Sequence, residues 1–236
     1  MPRIVVVTFD LDNTLWDVDD VIRNAERVTQ QWFDAHVPEL YATLRVDDFI
    51  EIRRRIVAER PDLAHDLSRI REAVFERAIV AVGRDGAQAK RLAREAFELF
   101  LAERHKVSFY DAALDVLERL SRRHVLGALT NGNADIARLG LAPYFRFAFS
   151  AADVGAAKPA PNMFRAALAH ANAQPHQMIH VGDNPVDDID GAAQLGIPTI
   201  WVNLGRRSEE SPPATRVVHA LQEIPNAIAE IEDAGS

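Results

Sequence analysis

The stretch IVVVTF at residues 4–9 is an unbroken apolar run rich in β-branched side chains, and it ends on an acid, Asp10. A strand that is apolar at every position has no solvent-facing side. It belongs inside a parallel sheet covered on both faces. Runs of the same kind recur at 125–129 (VLGAL), 145–149 (FRFAF), 178–181 (MIHV) and 199–202 (TIWV). Between the later runs, residues 111–123, 162–172 and 188–195 repeat apolar side chains at helical spacing. Strands alternating with helices in this way build βαβ units, whose right-handed crossovers lay helices on both faces of the sheet. The predicted core is therefore a three-layer α/β sandwich around a central parallel sheet.

Residues 18–106 break that rhythm and carry only helical periodicity. Amphipathic segments are predicted at 21–35, 46–58, 67–82 and 87–105, punctuated by Pro38, Pro61, Gly83 and Gly86. This reads as an all-helical insertion between the first strand and the rest of the sheet. Residues 206–215, with SEESPPAT, read as an exposed loop, and 221–231 as a closing helix. At 236 residues and 48% hydrophobic the chain has material for a real core, which excludes a disordered or collagen-like polypeptide. A net charge of -8 argues against a general nucleic-acid binder. The absence of cysteine excludes disulfides, zinc–thiolate sites, iron–sulfur clusters and a thiol nucleophile. No apolar stretch approaches the roughly 20 residues of a membrane span, and the first apolar run is too short and too acidic at its end for a secretory leader. A cytoplasmic protein without membrane partners is expected.

In an open parallel sheet, ligands bind beyond the carboxyl ends of the strands. The residues that follow each apolar run therefore define the candidate site. They are Asp10 and Asp12 after the first, Thr130 and Asn131 after the second, Lys158 in the loop after the third, and Asp183, Asp187 and Asp188 after the fourth. Two carboxylates about 4 Å apart repel by roughly 4 kcal/mol at an effective dielectric near 20. Gathering Asp10, Asp12 and Asp183 therefore requires a proton or a cation among them. Oxygen-only donors, without His or Cys, point to a hard ion such as magnesium, which favours a few carboxylates, waters and a substrate phosphate. Lys158 adds a positive charge and Thr130 a hydrogen-bond donor, so the set suits a phosphoryl group. Of the pair Asp10 and Asp12, one is able to attack phosphorus while the other protonates the leaving oxygen. His180, inside an apolar run, reads as a packing histidine. Trp16 reads either as lining the mouth of the site beside the insertion, in contact with substrate, or as hinge packing. Arg69 and Arg71 are either contacts for distal substrate groups or solvent-paired side chains.

In order, FDLDNTL, LTNGN, GAAKP and VGDNPVDD resemble the motifs of the haloacid dehalogenase superfamily over nearly the whole chain. The resemblance implies a Rossmann-like catalytic core from residues 1–17 and 107–236, with the helical insertion 18–106 as a cap domain. It implies that Asp10 is the nucleophile, Asp12 the general acid/base, and Thr130 and Lys158 the holders of the phosphoryl group, with Asn131 assisting in substrate binding. It also implies Mg2+ held by the side chains of Asp10 and Asp183 and the backbone carbonyl of Asp12, with Asp188 supporting the ion through water or a neighbouring group. The spacing to DIDGA favours Asp188 over Asp187 for that task. Members that cleave carbon–halogen bonds lack an acid at the position of Asp12, because halide departs without a proton. More narrowly, TFDLDNTLWD, LTNGNAD with LGLAPYF, and IHVGDNPVDDIDGA are similar to bacterial phosphatases acting on flavin mononucleotide and on the riboflavin precursor 5-amino-6-(5-phosphoribitylamino)uracil. The expected protein is a magnesium-dependent phosphatase of a small phosphate monoester, such as a flavin, a riboflavin precursor or a sugar phosphate. It is expected to act as a monomer or homodimer. The alternatives are a phosphotransferase or mutase using the same aspartyl phosphate, a haloacid dehalogenase, or a non-enzymatic phospho-switch.

Overall fold

A computed structural model describes residues 4–205 and 213–234. Most of the loop expected at 206–215 lies outside the described residues. The chain divides into two compact units, Met1–Asp17 with Ser108–Ser236, and Val18–Val107.

The first unit is an α/β sandwich. Its sheet contains β1 (Val6–Phe9), β2 (Val125–Thr130), β3 (Phe147–Ser150), β4 (Met178–Gly182), β5 (Thr199–Val202) and β6 (Arg216–Val218). The strand order is β3-β2-β1-β4-β5-β6, and every neighbouring pair is parallel. β1 is central, with Val6 opposite both Val125 and Met178, so it is buried along its length as its uninterrupted apolar sequence requires. Helices Asn162–Ala171 and Gly191–Ala193 cover one face. There Met163, Phe164, Ala167 and Ala192 pack on Val6, Leu129, Phe147 and Met178. Ala113–Ser121 and Ile224–Ala234 pack together on the other face, burying Leu117, Leu120, Ile224 and Ile228.

The order reverses between β1 and β4: the chain runs from β1 outward to β2 and β3, then crosses back to β4 on the other side of β1 and continues to β5 and β6. Such a switch point opens a crevice at the carboxyl ends of the strands. Asp10 and Asp12 leave β1 there, Thr130 ends β2, and Asp183 follows β4.

The second unit is all-helical, with Val18–His36, Glu39–Thr43, Val46–Glu59, Leu67–Ala81 and Gly86–Arg104. Asp66 and Asp85 start the last two by accepting backbone N–H groups, from Arg69 in one case and from Ala87 and Gln88 in the other. Phe33, Val37, Leu40, Phe75, Ile79, Leu92 and Phe97 form its main core, and Ile56, Leu63, Ile70 and Val74 a second cluster. Arg71 is taken up within this unit: its guanidinium lies 3.8 Å over the Phe100 ring and 3.5 Å from Glu26. Among the described residues, no helix is long and apolar enough to cross a membrane.

Three sequence expectations change. The run at 145–149 enters the sheet two residues late, because Phe145 turns inward to meet Phe9 edge-on while Arg146 makes the first ladder bond to Leu126. The short strand β6 was not expected, since its three residues show no alternation long enough to register. The helix expected at 188–195 is present but starts earlier and is wound wider at first: a π-helical stretch over Pro185–Asp190 runs directly into α-helical Gly191–Ala193. Asn184 causes this: its side-chain oxygen accepts Val186 and Asp187 N–H groups, while its carbonyl accepts both Asp188 and the more distant Ile189.

Gly127 in β2 lies against Phe147, and a Cβ there would meet the ring at 2.2 Å. Gly127→Ala is expected to cost about 1–3 kcal/mol through overpacking, read as a lower urea midpoint at unchanged slope.

Candidate active site

An open cavity at the switch point is lined by Asp10, Asp12 and Asn13 from the β1 loop and Thr130, Asn131 and Gly132 from the β2 loop. Lys158, Asp183, Asn184, Asp187 and Asp188 complete it. All four sequence motifs therefore meet at one edge of the sheet. Carboxylate oxygens of Asp10, Asp183 and Asp188 lie within 4.8 Å of one another. The Asp12 carboxylate lines the same cavity but is not one of this trio.

Lys158 ties two of the trio, Asp10 and Asp188, together. Only 3% exposed, it donates to Asp10 Oδ1 at 2.7 Å, to Asp188 Oδ1 at 2.6 Å and to the Leu129 carbonyl at 2.7 Å. An ammonium has three donors, and all three are used. Burial alone would push Lys158 toward deprotonation, but Asp10 and Asp188 outweigh it and hold the ammonium charged well above its ordinary range. Burial also drives Asp10 well above the usual carboxylate range. Lys158 opposes that rise, while Asp188 and Asp183 reinforce it. Asp188 is also desolvated, yet Lys158 and His180 overcome the burial and keep it ionised below its usual range.

The wide turn at Pro185–Asp190 separates the roles of the two neighbouring acids. Asp188 turns inward, its Oδ2 accepting the Asn184 N–H at 3.0 Å and its Oδ1 meeting His180 Nε2 at 3.1 Å. Gly182 makes room for it, since a Cβ there would sit 2.3 Å from the Asp188 carboxyl carbon. Asp187 instead accepts from the side-chain amides of Asn131 and Asn184, at 3.3 and 3.2 Å.

His180 is fully buried, and burial lowers its pKa, so it sits neutral. Facing a carboxylate, Nε2 carries a hydrogen, while Nδ1 lies 2.9 Å from Thr8 Oγ1, whose hydroxyl also reaches the Ile179 carbonyl at 3.2 Å. It packs as expected, against the edge of Phe164, but it is also a polar brace behind Asp188. Its place in an apolar strand run gave no sign of that second task.

Asn131 grips the Lys158 backbone from both sides, donating to its carbonyl at 3.0 Å and accepting its N–H at 2.7 Å. Thr130 Oγ1 accepts the Gly132 N–H at 2.9 Å, which leaves its hydroxyl hydrogen as a donor at the cavity. Thr14, not singled out in the sequence, donates to Asp10 Oδ2 at 3.3 Å. Trp201 supports Asp183 by donating to its carbonyl at 2.9 Å. Of its two readings, Trp16 follows packing: it is fully buried, is not among the residues lining the cavity, and donates its indole N–H to Asp12 Oδ1 at 3.0 Å. The turn that returns the chain past Asp12 carries Trp16 inward, so its ring is no surface for substrate.

The chain belongs to the haloacid dehalogenase-like hydrolases, whose family model matches residues 4–196. It is 31% identical over 200 residues to the 5-amino-6-(5-phospho-D-ribitylamino)uracil phosphatase YigB of Escherichia coli, covering 85% of this chain and 84% of that one. It is 38% identical over 155 residues to a phosphoserine phosphatase of Thermus thermophilus, 62% of this chain and 61% of that one. Among solved structures, a 2-haloacid dehalogenase from Pseudomonas syringae pv. Tomato DC3000 superposes with a TM-score of 0.92 at 40% identity, covering 97% of this chain and 99% of that one. A HAD phosphatase from Thermococcus onnurineus shares the fold at a TM-score of 0.63 and 22% identity, over 94% and 96% of the two chains.

Replacing Lys158 by Met leaves Asp10 and Asp188 buried without their shared cation. Denaturant unfolding in the presence of chelator is expected to show a loss of about 3–5 kcal/mol.

Proposed function

We propose that this hydrolase is a magnesium-dependent phosphatase of small phosphate monoesters working through an aspartyl phosphate on Asp10. The observation that carries the reading is the gathering of Asp10, Asp183 and Asp188, with Lys158 paired to the first and last of them and Asp12 at the same cavity. Three carboxylates against one ammonium leave two negative charges, which a divalent cation would neutralise, and the donors are all oxygen. The side chains of Asp10 and Asp183 and the backbone carbonyl of Asp12 are assigned to Mg2+. Asp188, whose oxygens already receive Lys158, His180 and Asn184, is assigned its support. When bound, the ion would supply positive charge against the phosphoryl oxygens and keep Asp10 ionised.

In this reading Asp10 attacks phosphorus while Asp12 gives its proton to the leaving oxygen. Asp12 then takes a proton from the water that releases phosphate. The Thr130 hydroxyl donates to a phosphoryl oxygen. Lys158 supplies charge and holds Asp10 in line. Asn131, by gripping Lys158, sets where that ammonium stands. The helical insertion is assigned the work of a cap, admitting a small substrate and excluding water from the acyl phosphate. The relatives named for action on a riboflavin precursor and on phosphoserine support the phosphate-ester class, and a flavin-related alkyl phosphate leads among candidates.

A second reading, 2-haloacid hydrolysis, is favoured by the similarity to the Pseudomonas structure. Asp12 speaks against it. Halide leaves without a proton, so a carboxylic acid at that position has no task, whereas an alkoxide leaving group requires one.

Purified protein is expected to release phosphate from flavin mononucleotide or another small monoester in the presence of Mg2+. Excess chelator should abolish turnover, and Asp10→Asn should lower kcat by at least about 10³-fold while the fold persists. Chloride release from 2-chloropropionate without phosphatase activity would replace this reading by the second. A further expectation concerns pH. The folded pKa of Asp10 is raised, so its contribution to stability is full below the unfolded pKa and is lost as pH rises through the folded value. Mg2+ binding to the ionised carboxylate opposes that loss. The rise in thermal midpoint on adding Mg2+ should therefore grow with pH, reaching about 5–10 °C at a hundredfold excess over Kd.

A further inference from the structure

We propose that Trp16 is a positioning residue for proton transfer, holding Asp12 so that its acid proton resides on Oδ2. The inference rests on the phosphatase reading above and goes beyond it.

The loop after β1 makes a tight return. Asn13 adopts a left-handed backbone conformation (φ 63), and its N–H donates to the Trp16 carbonyl at 2.8 Å. Trp16 then pairs as an isolated bridge with Asp12 on one side and with Phe109 on the other. The Tyr110 N–H donates to the Leu15 carbonyl at 2.8 Å, and the Phe109 ring meets the indole edge-on at 5.7 Å and 81°. The indole is thus fixed by backbone on both flanks and by a ring, and it is fully buried. Its N–H reaches Asp12 Oδ1 at 3.0 Å.

An indole N–H only donates. The oxygen facing it must therefore accept whether Asp12 is ionised or protonated, and the transferable proton is left to Oδ2. Without that donor the bias between the two oxygens is lost, together with one fixed contact of the carboxyl group. The step served is balanced as follows. A new bond forms from Asp10 oxygen to phosphorus, and the bond from phosphorus to the ester oxygen breaks with its electron pair on that oxygen. The proton on Asp12 Oδ2 moves to it, giving the free alcohol and the Asp12 carboxylate. In the second half, water adds its oxygen to phosphorus and its proton to Asp12, which releases phosphate and restores Asp10.

The test compares kcat/KM, which reports steps up to departure of the leaving group, for two esters. One is an alkyl ester, flavin mononucleotide or ribose 5-phosphate, whichever the wild type turns over faster. The other is p-nitrophenyl phosphate, whose phenolate departs without a proton. Asp12→Asn is expected to lose about 10²–10⁴-fold on the alkyl ester and far less on the aryl one. Trp16→Phe should follow the same pattern, with about a tenfold or greater loss on the alkyl ester and a change within about threefold on the aryl one. Should Trp16→Phe fail to fold by circular dichroism, benzothienylalanine at position 16, with sulfur in place of the N–H, keeps the ring and carries the same expectation. Phe109→Leu loosens the packing but keeps the donor, and should move both esters alike. If both Trp16 replacements change the two esters equally or not at all while Asp12→Asn stays selective, the Trp16 assignment is overturned. If Asp12→Asn is itself unselective, or the wild type releases no phosphate from either ester, the phosphatase reading falls and takes this assignment with it.

Discussion

One buried ammonium joins the elements that make the site. Lys158 comes from the segment between β3 and β4, yet its three donors reach the acid after β1, the Leu129 carbonyl of β2 and the acid on the helical turn after β4. Neither charge could stand alone at this depth, since the desolvation of a single buried ion costs several kcal/mol. The arrangement is therefore mutual: Asp188 stays ionised because Lys158 is charged, and Lys158 stays charged because two carboxylates face it. Asp10 is the partner left in tension, pressed toward its neutral form by burial and by two other acids. A cation among the three carboxylates would relieve that tension and favour the ionised form of Asp10.

Around this cluster the protein spends much of its polar chemistry on orientation. Asn131, Asn184 and Asp187 lock three loops to one another, while His180 and Thr8 brace Asp188 from inside the sheet. Such groups touch no reacting atom, but a displacement of about 1 Å in a reacting group is worth orders of magnitude in rate. Trp16 extends the same logic to Asp12. The chain is similar both to a protein named for phosphate-ester chemistry and to one named for carbon–halogen chemistry, and in the proposed function Asp12 is what separates the two.

Several of these features were legible before any coordinates. Continuous apolar runs with acids or Thr at their ends named five of the six strands and the residues beyond them. The rule that ligands gather at carboxyl strand ends then brought Asp10, Asp12, Thr130, Lys158, Asp183 and Asp188 to one cavity. What stayed hidden was local hydrogen bonding that overrode periodicity. Asn184 caps the expected helix three residues early and widens its first turns, and that winding turns Asp188 inward and Asp187 to the amides. Likewise the sequence left Trp16 open between lining the mouth of the site and hinge packing, because its position next to the motif allows either. The left-handed residue Asn13 folds it back beneath Asp12 instead.

By itself, then, the order of residues determined the layer architecture and the cast of charged groups. Hydrophobic periodicity and the chemistry of carboxylate, hydroxyl and ammonium are properties carried by each position. Tertiary structure alone decided which donor meets which acceptor: that Lys158 exhausts its hydrogen bonds on Asp10, Asp188 and Leu129, that His180 stands behind Asp188, and that an indole holds Asp12. Those pairings join segments as much as 148 residues apart, and their directions depend on turns whose geometry no single residue encodes.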